Sequence, residues 1–227
     1  VCSSDLSGGI LFNNNYSRNA LIRENKVYSL SIAADSSVIE NNEVFLFHKQ
    51  SGGAHYTTAV SIFGTANSLK RNRVKATASH NAYTGYRLSG SNIKVINNTF
   101  YGSGDYPVTG LRIEGTGMEL FHNTIRINSS NGNSMALQLA SGTNNILKNN
   151  IFSNHGNGAG IIKSDTNFAG IQLDYNNYFA SSTILGSINQ NVYLTIDDWK
   201  QVSHGDTNST AVNPYFSSIT DMTPKHS

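Results

Sequence analysis

The chain has 227 residues, a formal net charge of +2 and only 13% charged side chains. That charge density is well below the usual quarter of a soluble protein. It leaves no basic stripe for nucleic acid, no apolar run long enough to span a membrane, and, with Cys2 the single cysteine, no internal disulfide. Asparagine alone supplies 30 residues, so the polar surface is made of neutral amides and hydroxyls, which hydrogen-bond polyols well and attract ions weakly.

Residues 1–19 form an irregular lead-in. VCSSDLSGG matches no later segment, and no signal-peptide pattern precedes it. The expectation is an internal piece of a longer multidomain chain, monomeric within it. Residues 20–179 carry a repeat. TGYRLSGSNIKVINNTF (84–100), TGLRIEGTGMELFHNTI (109–125) and MALQLASGTNNILKNNIF (135–152) each run from an alternating strand through a Gly/Ser turn into a second strand that ends in Asn-x-apolar. The markers are Asn25, Asn42, Asn72, Asn98, Asn123, Asn150 and Asn177, with successive steps of 17, 30, 26, 25, 27 and 27.

The distance from the last inward residue of the first strand to the marker is steadier. It is 10 for Ile32–Asn42, Ile62–Asn72, Leu88–Asn98 and Ile113–Asn123, and 11 for Leu139–Asn150. One half of each unit is therefore fixed by packing, and the other half absorbs the length variation. Short period-2 runs at this spacing, without helical periodicity, predict six to seven coils of a parallel β-helix. Apolar rows then stack along the axis, and Asn42, Asn72, Asn98, Asn123, Asn150 and Asn177 form a side-chain amide ladder at one corner.

Residues 180–227 lack the pattern and read as a cap for the open end of the stack. Within them 195–202 predicts a short helix, with Thr195 as N-cap, Asp198 at the capping-box position, and Ile196, Trp199 and Val202 on one face. Trp199 and Phe216 are the expected anchors.

GYRLSGSNIKVINNTF and LQLASGTNNILKNNIF resemble the repeats of right-handed parallel β-helix proteins of the pectate-lyase-like superfamily. DYNNYF…TIDDWKQVSHGDTNS…VNPYF is similar to the closing segment of secreted or surface β-helix proteins of bacteria. The resemblance implies three sheets per coil (84–89, 93–96 and 99–100 in one unit), with the Asn corner between the second and third. It also implies a polysaccharide groove on the outer face of the first sheet, and a secreted or cell-surface location.

If Leu88, Ile113 and Leu139 face inward, Ser61, Arg87, Arg112 and Gln138 form one outward column, with Glu114 beside Arg112. Guanidiniums grip carboxylates bidentately, so this column suits a uronate. Read as a polysaccharide lyase, the chain would use Arg87 or Arg112 as base and Glu114 in a Ca²⁺ site, although no two adjacent coils stack carboxylates in one column. Asp35, Asp105 and Asp165 are scattered, and a glycosidase pair for Glu114 is not evident beyond Asp105. Tyr56, Tyr83, Tyr101 and Tyr106 are read as loop residues beside the groove, available to stack on sugars with Asp105 nearby. His48, His55, His80 and His155 lack metal-ligand spacing. Asn15, Asn128 and Asn208 begin glycosylation triplets expected by chance in so Asn-rich a chain.

The expected function is a carbohydrate-contacting β-helix module, with a polysaccharide lyase as first alternative and a structural adhesin stalk as second.

Overall fold

The computed structural model describes residues 10–47, 58–78, 81–163, 168–218 and 222. His48, His55, Tyr56, His80, Asp165 and residues 1–9 of the lead-in lie outside the described residues, while Ile10–Arg18, expected to be irregular, forms the first strand of the first sheet and pairs with Leu30–Asp35. The chain winds as a parallel β-solenoid. Each unit adds one strand to each of three sheets, giving nine strands in the first and seven in the second and third. In one unit these strands are Tyr83–Ser91, Lys94–Ile96 and Thr99–Gly104. Every pairing between coils is parallel, and the first sheet ends on one antiparallel strand, Asn191–Tyr193.

Period-2 alternation puts one apolar row per sheet on the axis. Ile32, Ile62, Leu88, Ile113 and Leu139 stack in register in the first sheet. Ile39, Leu69, Val95, Leu120 and Leu147 do so in the second, and Val44, Val74, Phe100, Ile125 and Phe152 in the third. All are buried, and each such side chain contributes about 1.5–3 kcal/mol through removal from water.

The first sheet departs from strict alternation at one level. Gly85–Tyr86, Gly110–Leu111 and Ala136–Leu137 are pairs of consecutive buried residues. Two adjacent inward residues require a local bend in each strand, because successive side chains of a regular strand point to opposite faces, and the outward phase is reset there. Thr84 and Arg87, three apart, consequently both face outward.

Where the coil leaves the first sheet, glycines stack. A Cβ on Gly90 would lie 2.0 Å from the Gly64 carbonyl oxygen, and one on Gly142 would lie 1.9 Å from that of Gly115. Gly90 and Gly142 also hold φ of +145° and +97°, a region only glycine enters without strain.

The amide ladder runs between the second and third sheets. Each Asn Nδ2 donates to the Oδ1 of the next coil: Asn25 to Asn42, Asn42 to Asn72, and Asn72 to Asn98 at 2.9 Å; Asn98 to Asn123 at 3.1 Å; Asn123 to Asn150 at 2.9 Å; and Asn150 to Asn176 at 3.0 Å. The same oxygens accept the backbone N–H of the preceding Asn. The last rung is thus Asn176, not the expected Asn177. Tyr178 pairs with Phe152 and carries the inward position, which leaves Asn177 paired with Ile151 on the outer side. There its side chain donates to the Val212 carbonyl and accepts from the Val212 N–H, holding the cap.

A second polar corner, between the first and second sheets, was not legible from the repeat. Asn67 accepts from the Ser37 N–H at 2.9 Å and donates to the Ala34 carbonyl, and Asn145 does the same for Met118 and Gly115.

The cap contains the expected helix, Ile196–Ser203, with Thr195 as N-cap and a complete capping box with Asp198. Trp199 is fully buried against Phe168, Tyr178 and Tyr193 and closes the end of the stack. Phe216 does not close the end. It lies on the outer face of the third sheet, 4.9 Å from the Arg126 guanidinium and 5.8 Å from the His155 ring, where Arg126 also donates to the Ser218 carbonyl. The segment 210–218 is a strap along that face.

Candidate functional site

The bend in the first sheet and the loops beside it shape a shallow outer groove of about 460 Å³. Thr58, Thr84, Thr109 and Met135 line one side, Arg87, Arg112 and Gln138 the other, and Ala82, Pro107 and Asn133 the loop wall. Both rows follow from strand register. Thr58, Thr84, Thr109 and Met135 pair across four coils, as do Ser61, Arg87, Arg112 and Gln138. The expected outward column therefore exists. Ser61 belongs to it but does not line the groove.

Glu114 joins two coils. Its Oε2 accepts from Arg87 Nε at 2.8 Å and its Oε1 from Arg112 Nε at 2.5 Å. Arg112 Nη1 donates to Gln138 Oε1 at 3.0 Å, which extends the network to a third coil. Arg87 also lies 5.9 Å from the Phe63 ring. Partial burial pushes the Glu114 carboxyl up. The hydrogen bonds and charges of Arg87 and Arg112 outweigh that and hold it below the ordinary carboxylate value. The carboxylate faces its arginines along their Nε edges. Arg87 Nη1 and Nη2 and Arg112 Nη2 make no hydrogen bond among the described residues, and these N–H groups are open to a ligand oxygen.

Ca²⁺ takes six or more oxygen ligands, most of them carboxylates or carbonyls. Among the described residues none that lines the groove carries a carboxylate, and Glu114, bonded to Arg87 and Arg112, sits between two guanidiniums that would repel a cation. Among the described residues no three His, Cys, Asp or Glu side chains gather in a way that could hold a metal. The site does not fit Ca²⁺.

The tyrosines expected to line the groove divide. Tyr83 is buried inside the solenoid, its hydroxyl donating to the Ala76 and Ser103 carbonyls at 3.1 Å, and desolvation holds it far above the ordinary phenol value. It starts the strand as an inward residue, so only its outer edge borders the groove. Tyr101 belongs to the strand Thr99–Gly104, not to a loop, and faces away over the third sheet, stacked under Arg126 at 5.7 Å. Neither presents a ring to a sugar. Tyr106 is 40% exposed, in the loop whose Asp105 accepts from Ser130 Oγ at 3.0 Å. Neither residue is part of the groove lining. What the sequence reading missed is the threonine row, which appears only once the bend resets the outward phase.

The fold and the ladder define the chain as a parallel β-helix protein. Comparison with protein-family models, curated protein sequences and solved structures finds no match. Among the described residues no helix is long and apolar enough to cross a membrane.

Proposed function

We propose that this chain is the β-helix module of an extracellular or cell-surface bacterial protein, and that it contacts a polysaccharide along the outer face of its first sheet. The observation that carries this reading is the groove itself. A floor of hydroxyls and amides from Thr58, Thr84, Thr109 and Gln138 lies beside guanidinium N–H groups of Arg87 and Arg112 that no acceptor among the described residues uses. Neutral donors and acceptors in register suit a polymer whose hydroxyls repeat along its length. The two guanidiniums add grip on any acidic sugar. The resemblance to secreted bacterial β-helix proteins supports the location.

Elimination chemistry is the less supported alternative, because Glu114 already binds the Nε of both Arg87 and Arg112, so neither is the free base that a lyase would need.

The test is a panel of neutral and acidic polysaccharides read by calorimetry, with absorbance of unsaturated uronate products followed in parallel. Binding that weakens at least several-fold in Arg112→Ala and Gln138→Ala, without new absorbance, is the expected result. Rising absorbance that Arg112→Ala abolishes would establish the lyase instead. Folded protein that binds no member of the panel would overturn the carbohydrate reading.

A further inference from the structure

Two Asn-Gly pairs occur in the chain, Asn131-Gly132 and Asn157-Gly158, and the fold treats them oppositely. Asn131 opens the turn that leads into the strand Met135–Leu139, beside Asn133 in the groove wall. Its carbonyl accepts from the Ser134 N–H at 3.1 Å and its side-chain Oδ1 from the Asn133 N–H at 2.9 Å. The ring closed by that second bond contains both the Asn131 Cγ and the Gly132 nitrogen, so electrophile and nucleophile are held within one small turn. The Asn133 N–H also sits on the oxygen where negative charge develops if the Gly132 nitrogen adds to Cγ. Gly132 is exposed, with nothing within 4 Å of where a Cβ would stand. No neighbouring atom there obstructs rotation of its peptide towards the side chain.

Asn157-Gly158 is locked. Gly158 is buried, and a Cβ there would lie 1.8 Å from the Ser134 carbonyl oxygen and 2.8 Å from Asn154 Nδ2. Asn157 Nδ2 donates to the Ser130 carbonyl at 2.8 Å, which anchors the leaving group on the neighbouring coil. The next residue, Ala159, donates its N–H to the Ser134 carbonyl.

We propose that Asn131 is a self-modification site, converting through a succinimide to aspartate and isoaspartate two residues from Asn133 of the groove wall. Water or hydroxide removes the Gly132 amide proton. The nitrogen then bonds to Asn131 Cγ, the Cγ–Nδ2 bond breaks, and Nδ2 leaves as ammonia after taking up a proton. One water then opens the five-membered ring at either carbonyl, leaving an ordinary aspartate at this position or its isomer with the backbone routed through Cγ. Each product carries a carboxylate where a neutral amide stood, close to Asp105, to whose carbonyl Asn131 Nδ2 donates across an exposed 3.4 Å, longer than the 2.8 Å bond that holds Asn157 Nδ2. On the function proposed above, that added charge weakens the grip of the groove on acidic sugars.

The test needs no ligand. The folded protein is incubated at neutral and at mildly alkaline pH, then digested and mapped by mass spectrometry for the exchange of amide for acid at both positions. The denatured chain runs in parallel. In the denatured chain the two sites react at comparable rates. In the folded protein Asn131 reacts many-fold faster than Asn157, its rate rises with pH, and Gly132→Ala suppresses it. Equal folded-state rates, a faster Asn157, or an unmodified Asn131 under conditions that convert the denatured chain would each overturn the proposal. Because the readout is mass, failure of carbohydrate binding does not affect it.

Discussion

Trp199 donates its indole N–H to Asp206 Oδ2 at 2.8 Å, and both residues are fully buried. Ser209 Oγ, Tyr178 Oη and Asn176 Nδ2 also donate to this carboxylate, at 2.6, 3.1 and 3.5 Å. The carboxylate therefore terminates the amide ladder. Burial still holds Asp206 above the ordinary value of 3.8 despite those donors. A carboxyl raised in the folded state favours folding on the acid side of its ordinary value, and the contribution is lost as pH rises through its folded value. Trp199→Phe keeps the ring packing and removes one donor from a buried charge. Thermal unfolding followed by circular dichroism should show a loss of about 1–3 kcal/mol. An unchanged midpoint would mean that the indole N–H has no part in holding the cap.

Asn123 and Asn177 share a sequence signature but not a role. Asn123→Ala leaves the Asn98 N–H and Nδ2 without their buried acceptor and the Val95 carbonyl without its donor. It should destabilise by about 3 kcal/mol or more. Asn177→Ala removes exposed contacts to the cap and should cost under about 1 kcal/mol. Urea titration of the two variants decides it, and equal losses would refute the reassigned register.

The strap sets the environment of His155. Burial, then the charge of Arg126, lowers its pKa from 6.5 to about 4, and its Nε2 and Arg126 Nε are buried without a partner among the described residues. A histidine lowered on folding costs stability as pH falls through the window from about 6.5 to about 4. Phe216→Ala uncovers the ring. Its titration, followed by nuclear magnetic resonance, should move up towards the ordinary value, and the acid-side loss of stability should shrink. A midpoint that stays near 4 would show that Phe216 is not what buries it.

Glu114 has the opposite linkage sign to Asp206. Its pKa is lowered against the pull of desolvation, by Arg87 and Arg112. The stability it adds is complete above the ordinary value and lost as pH falls through its folded value. The stability gap between the native protein and Glu114→Gln should therefore be widest near neutrality and close in acid. A gap independent of pH would show that the carboxylate contributes packing alone.

Ala66 occupies the left-handed corner between the first and second sheets at φ 58°, and is exposed. A Cβ in that region costs about 1–2 kcal/mol, against which glycine's extra chain entropy weighs about 0.5–1 kcal/mol. Ala66→Gly should raise stability slightly, read as a higher urea midpoint with an unchanged slope.

The coil phase was legible because burial forces period 2 within a strand and the ladder forces Asn at one corner. Ile32 and Leu88 obeyed the first rule and Asn98 the second. The reading slipped where two adjacent residues satisfied the same rule. Asn176 and Asn177 are both Asn, and counting back from Phe179 chose the wrong one, because the inward residue is Tyr178. Tyr83 misled for another reason. A tyrosine next to a turn signals a loop, but this hydroxyl finds two carbonyls inside the solenoid. The column of Arg87, Arg112 and Gln138 was legible from alternation alone. The threonine row was not, because it depends on a bend that breaks alternation. Phe216 was expected over the end of the stack, but a chain segment's direction after its last strand is set by contacts with distant residues such as Arg126.

Each of the rungs from Asn42 to Asn150 donates its Nδ2 forward to the next coil's Oδ1 and back to a carbonyl of the coil before, so the same set of bonds recurs at every turn. Any one rung is therefore interchangeable with the next. Removing residues 98–122 would bring Asn72 against Asn123 with the pattern unbroken, while taking Arg112 out of the groove and Glu114 away from Arg87. The chain thus separates its architecture from its surface chemistry: a whole turn can be spliced out or doubled without redesigning the scaffold, and the outer face can be rewritten one coil at a time.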